Sequence, residues 1–162
     1  MKITLNGNIY EVSLQQTLDI FGEYLRGAEG GLIAALGTTW PDDASHTAIE
    51  NSLAALGYGS GTCTYVATSS EKSTEANAPE PELDPSALFA LVEGLDPVCL
   101  IVLDRQTATQ LGAAYRQEIP LDCPLRLHGR DVVAFDNFSA MMRTSESKQR
   151  AWAILKALPR IQ

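Results

Sequence analysis

Few side chains in this sequence can do chemistry unaided, and their spacing narrows the choice. His46 and His128 are the only histidines. His46 lies near Asp42 and Asp43, which together hold the makings of a metal site. No second His or Cys stands at ligand spacing, so no metal is expected. His128 precedes Gly129 in an expected turn and reads as a surface residue. Cys63, Cys99 and Cys123 form no CxxC pair. Cys99 sits inside an apolar run and Cys63 inside a β-rich run, so both read as core. Cys123, between Asp122 and Pro124, is the one thiol expected to be exposed, and a nucleophile must be exposed. No GxGxxG, GxxxxGK[ST] or GxSxG motif is present, which argues against P-loop, dinucleotide-binding and α/β-hydrolase chemistry. Trp40, Phe138 and Arg143 combine two rings with a cation. Those are the parts of a base-stacking platform with a phosphate contact. The same two rings could equally plug a pocket that has lost its ligand.

These residues need elements to position them. Asn6-Gly7 is the preferred two-residue hairpin turn, so a β-hairpin is expected over residues 1–12. Leu14, Leu18, Phe21 and Leu25 recur at helical spacing, and Gly27 with Gly30-Gly31 ends that stripe. Leu32 to Leu36 is a short unalternated run, as a strand buried on both faces would be. Ser45 or Asp43 can cap a helix over about 46–56, carrying Ile49, Leu53 and Leu56. Thr62 to Thr68 reads as a second strand. Asp84-Pro85 opens a helix with a capping carboxylate and a first-turn proline. Val98 to Leu103 is the clearest buried strand, and Asp104 caps the helix after it. Leu125 to Leu127 and Val132 to Phe135 flank the His128-Gly129 turn. Asn137 or Thr144 can cap the ending helices, and Ala151, Ile154, Leu155 and Leu158 form the last apolar stripe, which Pro159 ends.

The alternation predicts a three-layer α/β/α fold with a roughly four-stranded parallel sheet, preceded by an N-terminal β-hairpin and helix. Ligands in such sheets sit at the C-terminal strand ends. Here those ends are Gly37 to Trp40, Thr68 to Ser70, Asp104-Arg105 and Asp136 to Ser139.

At 162 residues, the chain is expected to form a single domain with a sizeable core. Residues 1–30 form its hairpin and helix and residues 31–162 its α/β core. Residues 69–83, low in complexity and acidic, read as a mobile loop. No apolar run is long enough to span a membrane. Met1 to Tyr10 does not read as a signal peptide. Three single cysteines fit a reduced, cytoplasmic setting. The net charge of −8 argues against general nucleic-acid binding. It is unevenly spread: residues 1–103 carry three basic and fourteen acidic residues, residues 104–162 nine and six.

The ending, from Gly129 through VVAFDNFSAMMR to Arg143, then Lys148 and Trp152 to Leu158, resembles the C-terminal segment of bacterial uracil-DNA glycosylases with a four-stranded parallel sheet. Leu95-Asp96-Pro97 with VCLIVLD, and Leu53 to Gly57 with Thr62 to Thr68, resemble two further segments of that family. Leu32 to Pro41 fits the position of its first strand and loop. The resemblance covers roughly residues 32–160. It implies a base-binding site built from Thr38, Thr39, Trp40, Thr68, Asn137, Phe138, Ser139 and Arg143. Ser139 and Arg143 match the family pattern. Thr38 stands where the family has an acidic or polar water-orienting residue, Thr68 where it has a base-reading Asn, Asn137 where it has His, and Phe138 where it has Pro. The cysteine spacing needed for an iron–sulfur cluster is absent, so no cofactor is implied.

Cleaving an N-glycosidic bond leaves an oxocarbenium-like sugar and an anionic base, and both charges need stabilising. Thr38 cannot act as a carboxylate, and Asn137 cannot become cationic. The resemblance therefore implies a divergent member without efficient glycosylase activity, binding single-stranded DNA, a nucleotide-like ligand or a protein. One alternative is an active glycosylase with relocated groups, Asp42 or Asp136 orienting the water. Another is an unrelated interaction module that uses the hairpin edge to capture a partner strand. Clustering of Arg105, Arg126, Arg130, Arg143 and Lys148 on one face would favour the first two readings, and scattering the third.

Overall fold

The computed structural model describes residues 9–69 and 82–161, and side chains from residue 14 onward within the first helix. Elements follow in the order α1 (Ile9–Phe21), a 3-10 turn (Gly22–Tyr24), β1 (Leu25–Gly27), β2 (Ile33–Gly37), α2 (Asp43–Ala55), β3 (Cys63–Ala67), α3 (Pro85–Leu95), β4 (Cys99–Val102), α4 (Arg105–Tyr115), β5 (Leu125–Leu127), β6 (Arg130–Ala134), α5 (Phe138–Met141) and α6 (Ser145–Leu155). No helix among the described residues is long and apolar enough to cross a membrane.

The fold is α/β, with one six-stranded mixed sheet in the order β1-β3-β2-β4-β6-β5. Its four inner strands are mutually parallel. The two outer strands, β1 and β5, pair antiparallel. The sheet is thus larger than the four strands expected, because two three-residue edges were added to the parallel core. β5 and β6 join through His128 and Gly129, both at positive φ, the conformation a two-residue hairpin turn requires.

Every residue of β2, β3 and β4 is buried, since both sheet faces are covered by helices. On one face Ala34, Leu36, Val66, Leu100, Val102 and Val132 pack against α3, α4 and Leu14, Leu18 and Phe21 of α1. On the other, Ile33, Ala35, Tyr65, Ile101 and Val133 pack against α2, α5 and α6. This is the period-two alternation of strand side chains feeding two separate cores. Cys63 and Cys99 lie in the second core and Cys123 is exposed. Burial pushes the Cys63 thiol up to about 12.

The N-terminal expectation needs correction. The turn at Asn6-Gly7 and the first strand of the hairpin lie outside the described residues. Its second strand does not form, because Tyr10 to Val12 belong to α1. At the other end Leu25 leaves the helical stripe and opens β1, pairing with Val66. The expected acidic loop lies mostly in residues 70–81, outside the described residues. The cap of α2 is Asp42, one residue before Asp43 and three before Ser45, the two expected residues.

Candidate functional site

Chain order and strand order together define a crossover. β2 leads outward to β3, and the chain then returns past β2 to form β4. Loops leaving β2 and β4 therefore diverge at their C-terminal ends and leave a crevice between them. A cavity of about 210 Å³ occupies that place. It is lined by Thr39, Trp40, Pro41, Asp42, Ser45, Leu103, Asp104, Asn137, Phe138 and Ser139. A larger groove, about 530 Å³, runs between α2 and α6 and includes none of the strand-end residues.

Side chains tie the three loops together around the crevice. Asp104 caps α4, its Oδ1 accepting from Thr107 N at 2.7 Å. The same carboxylate accepts from Thr38 N at 2.7 Å and from Thr38 Oγ1 at 3.1 Å. An aspartate thus fills the anion-binding position that a helix N-terminus at a crossover would otherwise offer. Asp42 caps α2 through Ser45 N, and its other oxygen accepts from Ser139 Oγ at 2.6 Å. Asn137 caps α5 through Ala140 N. Backbone bonds close the ring: Phe138 N donates to Leu103 O, and Arg105 N to Asp136 O.

Of the residues expected to bind, Thr39, Trp40, Asn137, Phe138 and Ser139 face one cavity, and Asp42 joins them. Thr38 does not line it and is held by Asp104. Phe138 is only 1% exposed and packs edge-on against Phe135, with ring centroids 5.0 Å apart. It serves as floor rather than as an open stacking surface. Trp40 is half-buried, and the Arg26 guanidinium lies over its ring at 4.1 Å. Thr68 is fully buried at the end of β3, with its hydroxyl unpartnered among the described residues, and it does not line the cavity. Asp136 is also outside it, paired at the surface with Arg105. Arg143 is exposed, close enough to Asp42 to act on its charge.

The sequence reading missed three contributors. Ser45 and Leu103 complete the lining, and Arg26 reaches Trp40 from the edge strand β1, whose Leu25 continues the helical stripe of the sequence. Asp104 was legible as a helix cap, but its grip on Thr38 was not.

The five basic residues form no single patch. Arg130 is buried at the start of β6, the opposite end of the sheet, bonded to Glu93, Asp96 and Pro97 O. Arg126 pairs with Asp131 on the edge hairpin, and Arg105 with Asp136. Among the described residues, no group of acids, cysteines and histidines could hold a metal ion.

Asp42 is held below its ordinary carboxyl value of 3.8. The Ser139 hydroxyl contributes most, then the Ser45 backbone and side chain; burial opposes them, and Arg143 adds a little. A folded-state pKa below the unfolded one stabilises the fold above about pH 4, and that contribution disappears as pH falls through the folded value. Ser139→Ala should therefore move the Asp42 titration upward towards 3.8, as carboxyl NMR shifts would record. An unmoved titration would remove Ser139 as the cause.

The chain matches no protein-family model and no curated protein sequence.

Proposed function

We propose that this chain is a divergent domain of the uracil-DNA-glycosylase type that binds a small ligand at its strand ends without efficient base release. One observation carries this reading. The polar groups with which such a site would work are engaged in holding the loops. Asp104 is spent on Thr38 and Thr107, Asn137 on α5, and Asp42 on α2 and Ser139. Among the described residues no cation lines the cavity to receive an anionic base. Loss of one oxyanion-type donor typically costs about 10²–10³ in rate. At about 210 Å³ the cavity also lies below the roughly 300–1,000 Å³ of most ligand pockets, which favours a ligand no larger than one ring. Three free cysteines suit a reducing compartment, and we place the chain in the cytoplasm.

A second reading is favoured by Asp42 alone. Its carboxylate is ionised at neutral pH and faces the cavity, so it could orient water. Asp136 has no such position. Scattering of the basic residues weakens any nucleic-acid role and by itself favours the third reading, partner capture. The described sheet edges suit that role poorly, because β1 and β5 are only three residues long.

One assay separates these readings. Uracil-containing and control single-stranded oligonucleotides are incubated with the protein at low salt, where phosphate contacts are strongest. Base release and binding are scored together. No release above control is expected. Release that vanishes in Asp42→Asn would overturn the proposal and install Asp42 as the water-orienting group.

A further inference from the structure

The same cavity has a charge character that selects among ligands. Among the described residues its lining contains two carboxylates, Asp42 and Asp104, and no Lys or Arg. The N-termini of α2 and α4 each bring about half a positive charge, which offsets only half of that negative charge. The Ser139 bond and the α2 cap keep Asp42 ionised. One wall is Trp40, whose ring already carries a guanidinium, that of Arg26, at 4.1 Å. Arg26 itself does not line the cavity.

A second observation is independent of the carboxylates. Ser45 lines the cavity, is only 2% exposed, and its hydroxyl completes no hydrogen bond among the described residues. It lies near enough to Asp42 to lower that carboxyl, yet no acceptor meets it in bonding geometry. A buried hydroxyl without a partner is uncommon and marks a place where a bound polar group would be accommodated.

We propose that this cavity takes a small planar cation rich in N–H donors, a guanidinium or protonated amino-heterocycle, bound between Trp40 and the Asp42 carboxylate. This deepens the binding reading above and rests on it. Planarity suits an aromatic wall, and delocalised positive charge suits its negative face. N–H donors suit carboxylate oxygens that keep free lone pairs. An anionic base or a phosphate would meet two carboxylates and, among the described residues, no lining Lys or Arg.

The test uses the full chain, isotope-labelled, at low ionic strength. Methylguanidinium and uracil are titrated separately, against sodium chloride at matched ionic strength. Methylguanidinium is expected to shift the Trp40 indole and the Thr39 and Ser139 amides saturably. Asp42→Asn should weaken that binding about tenfold to a hundredfold, the usual worth of a charged hydrogen bond. Asparagine also caps helices well, so α2 should persist in the variant. Trp40→Leu, which keeps an apolar wall but no ring, should weaken it as well. Arginine amide, with its aliphatic stem, distinguishes the source. Tighter binding than methylguanidinium would point to an arginyl side chain, and weaker binding to a free small molecule.

Shifts with uracil but not methylguanidinium would overturn the cation proposal while leaving the cavity as a binding site. Shifts with neither would overturn both. Methylguanidinium binding that Asp42→Asn leaves unchanged would also overturn the proposal, because the carboxylate would then have no part in it.

Discussion

Asp104→Ala is expected to destabilise the protein by about 3 kcal/mol. Removal of a helix cap typically costs about 1 kcal/mol. The same change leaves the half-buried Thr38 N–H and its hydroxyl without their acceptor, and an orphaned donor adds about 1–3 kcal/mol. The groups share one carboxylate, so the costs need not add in full. For a chain of this size the melting temperature should fall by roughly 10 °C. Asp104→Asn keeps one acceptor for the α4 cap and should lose about 1 kcal/mol. Urea unfolding followed by circular dichroism checks both, with the midpoint moving and the slope unchanged. A loss of only about 1 kcal/mol in Asp104→Ala, the worth of the cap alone, with none in Asp104→Asn, would mean that Asp104 only caps α4 and does not hold the first loop.

The role of Asp104 also marks how far the sequence could be read. VCLIVLD placed β4 and its capping aspartate because both signals are local: an apolar run, then an acid before a helix. Asp84-Pro85 and Thr144 were legible for the same reason. The parallel core followed from the alternation of such units. β1 did not, because Leu25 continues the Leu14, Leu18, Phe21 stripe in register. Only pairing with Thr64 to Val66, some forty residues on, makes it a strand. The site divided in the same way. Strand ends located Trp40, Asn137 and Ser139, since topology alone fixes where such loops meet. The bond between Asp42 and Ser139 spans 97 residues, and that between Thr38 and Asp104 spans 66. Contacts of that range leave no period in the sequence. Topology pointed to the loops at the strand ends, but it could not say that their polar groups bind one another. Arg26 was invisible as a partner of Trp40 for as long as its strand read as helix.

Phe138→Ala should have the largest single effect, a loss of about 3–5 kcal/mol, the usual cost of truncating a buried phenylalanine. The ring is nearly inaccessible, meets Phe135 at 73° with centroids 5.0 Å apart, and sits where Phe138 N anchors the last loop to Leu103 O. Truncation would deepen the cavity into the core beneath α5. Part of the stability should return with a small aromatic molecule such as benzene, because an apolar void of this kind stays dry and binds such rings. Calorimetric melting with and without benzene measures both effects. A loss below about 1 kcal/mol would mean that the ring is not a supporting floor, and would free it for the stacking role its position suggests. The expected large loss has a functional corollary. Where the uracil-DNA glycosylases that the sequence resembles carry a proline, this chain has a core residue, so the loop bearing Asn137 and Ser139 is held from below by packing. On the proposed reading, a loop fixed in that way, with its polar groups bonded to its neighbours, would hold a ligand still rather than close on a reacting sugar.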